Sequence, residues 1–343
     1  MPATAAGAST ESIAMLQHRL FSPRAAVLHA AAAAMLACSC AAMSETVIGI
    51  ANLGPHPSIA QTIEGFKEEM AKRGYVEGKN AIYVYSDANF TQALMPQMFT
   101  QISSRSPDLI LTITTSVSQT ALSAVANRKT PMVFAMVTDP VKAGLVPNWQ
   151  QGGTRFTGAS DMQDFDAALA FGKKLFPKAT SFGTLYNPGE VNDVVTTQKL
   201  EEAAKRAGLK FVPVSVDAVG DIPQRAQLLR GVGFAYITGS NLVQSAIPAV
   251  AAAAKQLKFP ILSSETEFVK SGMAAANYAV SLKSIGTNAA VLADRVLKGT
   301  PTSQLPAARP GPDDYVVTIN KAKFKELGLA IPASFDNCAC FVE

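Results

Sequence analysis

Along most of the chain, short runs of β-branched and aromatic residues alternate with longer stretches whose apolar residues recur every three or four positions. The short runs predict strands over residues 47–52, 82–85, 109–114, 132–137 and 157–160, and again over 181–186, 211–216, 234–238, 261–263 and 273–277. The longer stretches predict helices. Residues 58–73 set Ile59, Ile63, Phe66 and Met70 on one stripe and stop at Gly74. Residues 192–207 repeat the pattern with Val195, Leu200 and Ala203 inward and Gly208 as terminator, and two more helices are expected over 241–257 and 285–297. The first four strand starts are spaced 35, 27 and 23 residues apart in one series and 30, 23 and 27 in the other. Two copies of one architecture follow from that similarity. Apolar strands that each feed a helix are buried on both faces, so the expected fold class is α/β, with two doubly wound parallel-sheet lobes.

The expected lobes are residues 43–156 with 281–308, and residues 157–277 with 313–343. Three chain crossings would form the hinge between them, near 155–157, 277–281 and 307–313. The last of these contains Arg309-Pro310-Gly311-Pro312-Asp313, as rich in Pro and Gly as a linking segment should be.

The front of the chain follows a different pattern. Arg19 and Arg24 precede a short apolar stretch over 25–37, and Cys40-Ala41-Ala42 then offers the small residues a signal peptidase accepts. Residues 1–42 therefore read as a signal peptide, with Met15 an alternative start to Met1. A membrane anchor is the weaker reading, because His29, Ser39 and Cys40 dilute a stretch that barely reaches spanning length. Met35-Leu36-Ala37-Cys38 partly resembles a lipobox, but Met35 stands where Leu is usual, so acylation of Cys38 is the minority expectation. Removal of 42 of the 343 residues leaves 301, a net charge near +3, and His56 as the one remaining histidine. The expected location is the periplasm. Cys338 and Cys340 also remain; a bridge across one residue would be strained, and two thiols are too few for a tetrahedral metal, so they read as tail cysteines without function.

Ligands of doubly wound sheets bind beyond the carboxyl ends of the strands. There the first series carries His56 in a Pro-flanked loop, then Thr115 and Ser116, then Thr138 and Asp139. The second carries Ser160 and Asp161, Tyr186 and Asn187, Asn241, Glu265, and Asn277 and Tyr278. Any one of these polar residues could be an ordinary helix cap. As a set they suggest a ligand cleft. The turn over 114–118 opens into a helix, and a helix N-terminus seats an anion. Asp139, Asp161 and Glu265 could meet an ammonium, while Tyr186 and Tyr278 could stack an apolar group or a cation. An anion seat facing carboxylates is a layout for a zwitterion. His56 is read equally as a ligand contact or as a hydrogen-bonded structural residue.

The remaining composition narrows the function classes. Thirty basic against 26 acidic residues form no run that could track a phosphate backbone, so no nucleic-acid partner is expected. No dinucleotide or nucleotide-triphosphate glycine motif and no G-x-S-x-G elbow occurs, and one histidine cannot anchor a His-containing metal cluster. Asp139 and Asp161 could imitate a glycosidase pair, but few aromatics accompany them. A binder rather than an enzyme is expected, with no cofactor and no metal.

Gly65-Phe66-Lys67 and Arg73-Gly74-Tyr75-Val76-Glu77-Gly78-Lys79-Asn80 resemble the start of a family of ABC-transporter substrate-binding proteins. Val133-Phe134, Thr138-Asp139-Pro140-Val141, Ala143-Gly144-Leu145-Val146, Thr157-Gly158 and Tyr186-Asn187-Pro188 follow in the family's order, and the likeness spans about 46–332. The resemblance implies a two-lobed type I periplasmic-binding fold that closes on a small solute and delivers it to an ABC permease. It also implies an amino-acid ligand of aromatic type, a monomer, and ligand contacts at the strand-end residues named above. The run Thr238-Gly239-Ser240-Asn241 is a departure, since relatives often carry an acidic residue two places after the Thr-like position. A sensor that hands its liganded form to a membrane receptor is the alternative, and a periplasmic hydrolase a more distant one.

Overall fold

Five parallel strands, β1 (Thr46–Asn52), β2 (Ala81–Asp87), β3 (Leu109–Ile113), β4 (Met132–Ala135) and β5 (Phe156–Ala159), form a first sheet in the order β2-β1-β3-β4-β5. The structure, a computed structural model, describes residues 45–343. The expected signal peptide, the alternative start at Met15 and the acylation of Cys38 lie outside the described residues. Every residue of β3, β4 and β5 is buried, as strands covered on both faces must be.

The second sheet holds β6 (Ser181–Tyr186), β7 (Lys210–Ser215), β8 (Phe234–Ile237), β9 (Ile261–Ser263), β10 (Ala276–Val280), β11 (Tyr315–Asn320) and β12 (Phe341–Val342). Their order is β12-β11-β10-β9-β8-β6-β7, parallel except where β11 runs against β10. Each sheet has its own apolar core, the second built partly on stacked rings of Phe176, Phe182, Phe211, Phe234 and Phe324. The α/β class with two parallel-dominated sheets is as expected.

The helices are α1 (Pro57–Lys72), α2 (Met95–Ser103), α3 (Thr115–Ala124), α4 (Phe165–Leu175), α5 (Val191–Ala207), α6 (Ile222–Arg225), α7 (Asn241–Ser245), α8 (Ile247–Leu257), α9 (Thr266–Lys270), α10 (Leu282–Leu297) and α11 (Lys321–Glu326). The single helix expected over 241–257 is broken at Ala246. Pro248 follows the break, where it has no N–H to give and cannot continue the preceding turn. Late in the sequence, α10 returns to the first sheet and packs on α1. The approach is close because both helices present glycine. A Cβ on Gly65 would lie 2.3 Å from the Lys283 carbonyl, and one on Gly286 would lie 2.0 Å from the Thr62 carbonyl.

Two expectations need correction. β5 pairs with β4, so the first sheet runs through Ala159 and the first crossing follows that residue rather than lying at 155–157. β10 runs to Val280, so the second lobe extends past its expected limit at 277, and the chain returns to the first lobe at Ser281, within the expected 277–281. The tail also differs: Cys338 and Cys340 are joined in a disulfide, with Cα atoms 5.1 Å apart, inside the span that such bonds accept. The Cys340 carbonyl then accepts from the Ile319 N–H as the chain enters β12.

Candidate functional site

The carboxyl ends of β1, β3, β4 and β5 face those of β8 and β9 across a narrow cavity of about 30 Å³. Both sheets reverse their strand order at this level, between β1 and β3 in one and between β6 and β8 in the other. Leu53, His56 and Ile59 contribute from β1 and α1, Thr114 and Thr115 from α3, and Met136 and Thr138 from beyond β4. The second lobe supplies Asp161, Asn192, Gly239, Asn241, Gln244 and Glu265. A second space of about 20 Å³, towards the crossings, shares Thr138, Asp161, Gly239 and Glu265 with the first. These two carboxylates thus stand at the junction of both spaces.

Their electrostatics are unusual. Glu265 is 4% exposed; its Oε2 accepts from Ser58 Oγ at 2.6 Å and its Oε1 from Gln244 Nε2 at 3.1 Å. Burial pushes its pKa up to about 7 against those two donors, and the charge of Asp161 adds to the rise. Asp161 is pushed up to about 6, again chiefly by burial, with the Thr138 hydroxyl opposing. Its Oδ1 is shut off from solvent and has no hydrogen-bond partner. Among the described residues no Lys or Arg lines the cavity to neutralise either group.

Opposite them stands the N-terminus of α3, to which no side chain donates a cap. Thr114 precedes it with φ of 83°, and Met136 has φ of 55°. Left-handed backbone in β-branched or bulky residues is strained and collects at ligand sites. Of the six non-glycine residues with positive φ among the described residues, Phe90, Thr114 and Met136 all line the cavity.

His56 caps α1, its Nδ1 accepting from the Ser58 N–H at 3.2 Å, and its ring stands edge-on to Phe268 at 5.9 Å. Burial lowers its pKa, which keeps the ring neutral. The structural role is therefore present, and the residue lines the cavity as well.

Six expected residues meet at the cavity: His56, Thr115, Thr138, Asp161, Asn241 and Glu265. The others do not. Ser116 and Asn187 lie on outer spaces next to it. Asp139 is a turn residue whose Oδ1 accepts from the Val141 and Lys142 N–H groups. Ser160 donates to the Thr138 carbonyl and accepts from the Met162 N–H. Asn277 Nδ2 donates to Thr266 Oγ1 and the Val316 carbonyl while its Oδ1 is buried without a partner, and Tyr278 stacks on Tyr315 with ring centroids 5.2 Å apart. Tyr186 pairs with Ser215 at the end of β6 and does not reach the cavity. Leu53, Phe90, Met136, Asn192 and Gln244 were not foreseen. Leu53 and Met136 directly follow the ends of β1 and β4, but their apolar side chains gave the strand-end reading no polar signal.

In the run 238–241, where relatives often carry an acidic residue, a carboxylate arrives from elsewhere. Glu190 Oε2 accepts from the Asn241 backbone N–H at 2.9 Å and from its Nδ2 at 2.8 Å, while Oε1 accepts from the Leu242 N–H at 2.9 Å. Asp193, beside it, accepts from the Asn187 N–H, and burial together with the charge of Glu190 drives its pKa upward.

Comparison with known proteins agrees with this geometry. The family described as ABC transporter substrate binding protein matches residues 47–340. A curated tyrosine-binding protein of Clostridioides difficile (strain R20291) is 31% identical over 283 residues, covering 82% of this chain and 81% of the relative. Among solved structures, a domain from Streptococcus pneumoniae in complex with L-Trp is 25% identical with a TM-score of 0.81, over 87% of this chain and all of that one. The ligand-free, open structure of a substrate binding protein with adhesive properties from Clostridium difficile is 29% identical with a TM-score of 0.67, over 87% of this chain and 99% of that one. These relatives are binding proteins rather than enzymes.

Proposed function

Because this chain belongs to the family of ABC transporter substrate binding proteins, we propose that it captures a zwitterionic amino acid with an aromatic side chain and delivers it to an ABC permease. One observation carries the reading. The buried carboxylate of Glu265, the half-buried one of Asp161 and an uncapped helix N-terminus line a single cavity, in which no described residue is Lys or Arg. The α-carboxylate would sit on the N–H groups opening α3, with the hydroxyls of Thr114, Thr115 and Thr138 around it. The ammonium would lie at Asp161 and Glu265, where Asp161 Oδ1 gains the partner it lacks and Glu265 gains a charged one beside its two neutral donors. Leu53, Ile59, Phe90 and Met136 would surround the side chain. His56 and Asn241 complete the polar lining, with Ser116 and Asn187 outside it.

Closure is the mechanism. Ser58 reaches Glu265 and Gln61 reaches Glu267 at 2.7 Å, so the lobes touch across the cleft. The chain also follows the L-Trp complex more closely than the open relative, although its identity to the open one is higher. A ligand that contacts both lobes favours the closed form because only there are all its contacts made. The family is typically extracytoplasmic, and among the described residues no helix is long and apolar enough to cross a membrane. Export by the front segment, a periplasmic location and action as a monomer complete the proposal.

The test is a thermal-shift and calorimetric screen of the purified protein against L-Tyr, L-Trp, L-Phe, small acids and nucleobases. Aromatic L-amino acids should raise the melting temperature, by about 2.7 kcal/mol of stabilisation at a hundred times Kd. A shift with acids or nucleobases and none with amino acids would overturn the reading.

A further inference from the structure

Phe90 supplies the one phenyl ring in the cavity lining, and it borders two spaces at once: the inner cavity and an outer one that opens beside Asn187 and Asp217. The residue remains 39% exposed. Its backbone is held at φ of 59° and that of Asn89 at 46°, two consecutive left-handed residues of which neither is glycine. Three hydrogen bonds tie the loop in this shape: the Phe90 N–H to the Leu53 carbonyl at 2.7 Å, the Asn89 N–H to Asp87 Oδ1 at 2.8 Å, and the Thr91 N–H to the Ala88 carbonyl at 2.7 Å.

The ring also dictates a residue on the neighbouring loop. A Cβ on Gly54 would come within 2.7 Å of Phe90 Cδ2 and Cε2. Gly54 has no positive φ, so its backbone does not require glycine; the ring does. A strained backbone that leaves a large apolar ring partly in water gains little within its own lobe. That cost is offset if a ligand covers the ring. From this we infer that Phe90 is a specificity-determining residue, the wall that closes the outer side of the cavity over the ligand's side chain and selects a flat aromatic one. The inference rests on the amino-acid reading of the site. Offset or edge-on contact between two rings adds to what burial alone provides, and a small aliphatic side chain would not reach it.

The experiment compares wild type, Phe90→Ala, Gly54→Ala and the double variant, titrated calorimetrically with L-Trp, L-Tyr, L-Leu and L-Ala, with melting temperatures recorded for each. Phe90→Ala should weaken L-Trp and L-Tyr by about tenfold or more, and L-Leu and L-Ala by less than about threefold. Gly54→Ala, which must displace the ring, should reproduce that selective loss alone and add nothing in the Phe90→Ala background. A uniform loss for all four probes, or losses that simply add in the double variant, would assign the ring a structural role and overturn the inference. Wild-type protein that binds none of the four overturns the amino-acid reading itself, and this inference with it.

Discussion

Ser58, in the first turn of α1 in one lobe, donates its hydroxyl to Glu265, at the end of β9 in the other, over 2.6 Å. The two residues are 207 positions apart in sequence, and both are buried. The same carboxylate that faces the cavity therefore also fastens the lobes together.

Loss of this link should act on release. A hydrogen bond to a charged acceptor contributes about 1.5–3 kcal/mol. Ser58→Ala should therefore speed ligand dissociation by about tenfold, with association changed much less. Stopped-flow fluorescence with L-Trp or L-Tyr measures both, and an unchanged dissociation rate would deny the latch.

Asp161 can be tested by charge alone. Asp161→Asn keeps the shape and removes the charge that has no partner on Oδ1. Affinity for a zwitterion should fall about tenfold or more, while thermal stability of the ligand-free protein is kept or raised, since a buried unpaired carboxylate is costly. Calorimetry and a melting curve on one sample separate the two effects.

The pH dependence has opposite signs with and without ligand. Asp161 and Glu265 have folded pKa values near 6 and 7, above those of the unfolded chain, so the folded ligand-free protein holds more protons across that range. Their contribution to stability is full below about pH 4 and is lost as pH rises through 6 to 7. Binding of an ammonium requires the carboxylates ionised, so affinity should rise over the same interval. Melting temperatures and titrations from pH 5 to 8 read both slopes, and Asp161→Asn should flatten each.

Glu190 should be structural before it is anything else. It accepts from both the backbone and the side chain of Asn241 and from the Leu242 N–H, so Glu190→Gln turns an N–H towards groups that are themselves donors. Destabilisation of about 2–4 kcal/mol is expected, read by urea unfolding. The pKa of Asp193 should fall once its charged neighbour is gone.

Most of the βα alternation was legible because burial on both faces writes itself into each strand locally: 181–186 and 261–263 were placed to the residue. The strand-end rule then placed Thr115, Thr138, Asp161, Asn241 and Glu265 at one level, and all five line the cavity. The same rule misplaced Tyr278, because β11 was not foreseen and its Tyr315 takes up that ring. It misplaced Asp139, whose local turn consumes the carboxylate. Phe90 left no periodic signal at all, lying in an irregular loop between β2 and α2.

What the sequence by itself determined is the repeated βα order, and with it the level at which polar strand ends collect, since both follow from contacts between near neighbours in the chain. Only the tertiary structure decided which of those polar groups stay unsatisfied. That choice depends on partners from other elements, far along the chain: Ser58 for Glu265, Glu190 for Asn241, Tyr315 for Tyr278. A donor or acceptor is free for a ligand only when no distant segment has already taken it, and that is settled when the chain closes on itself.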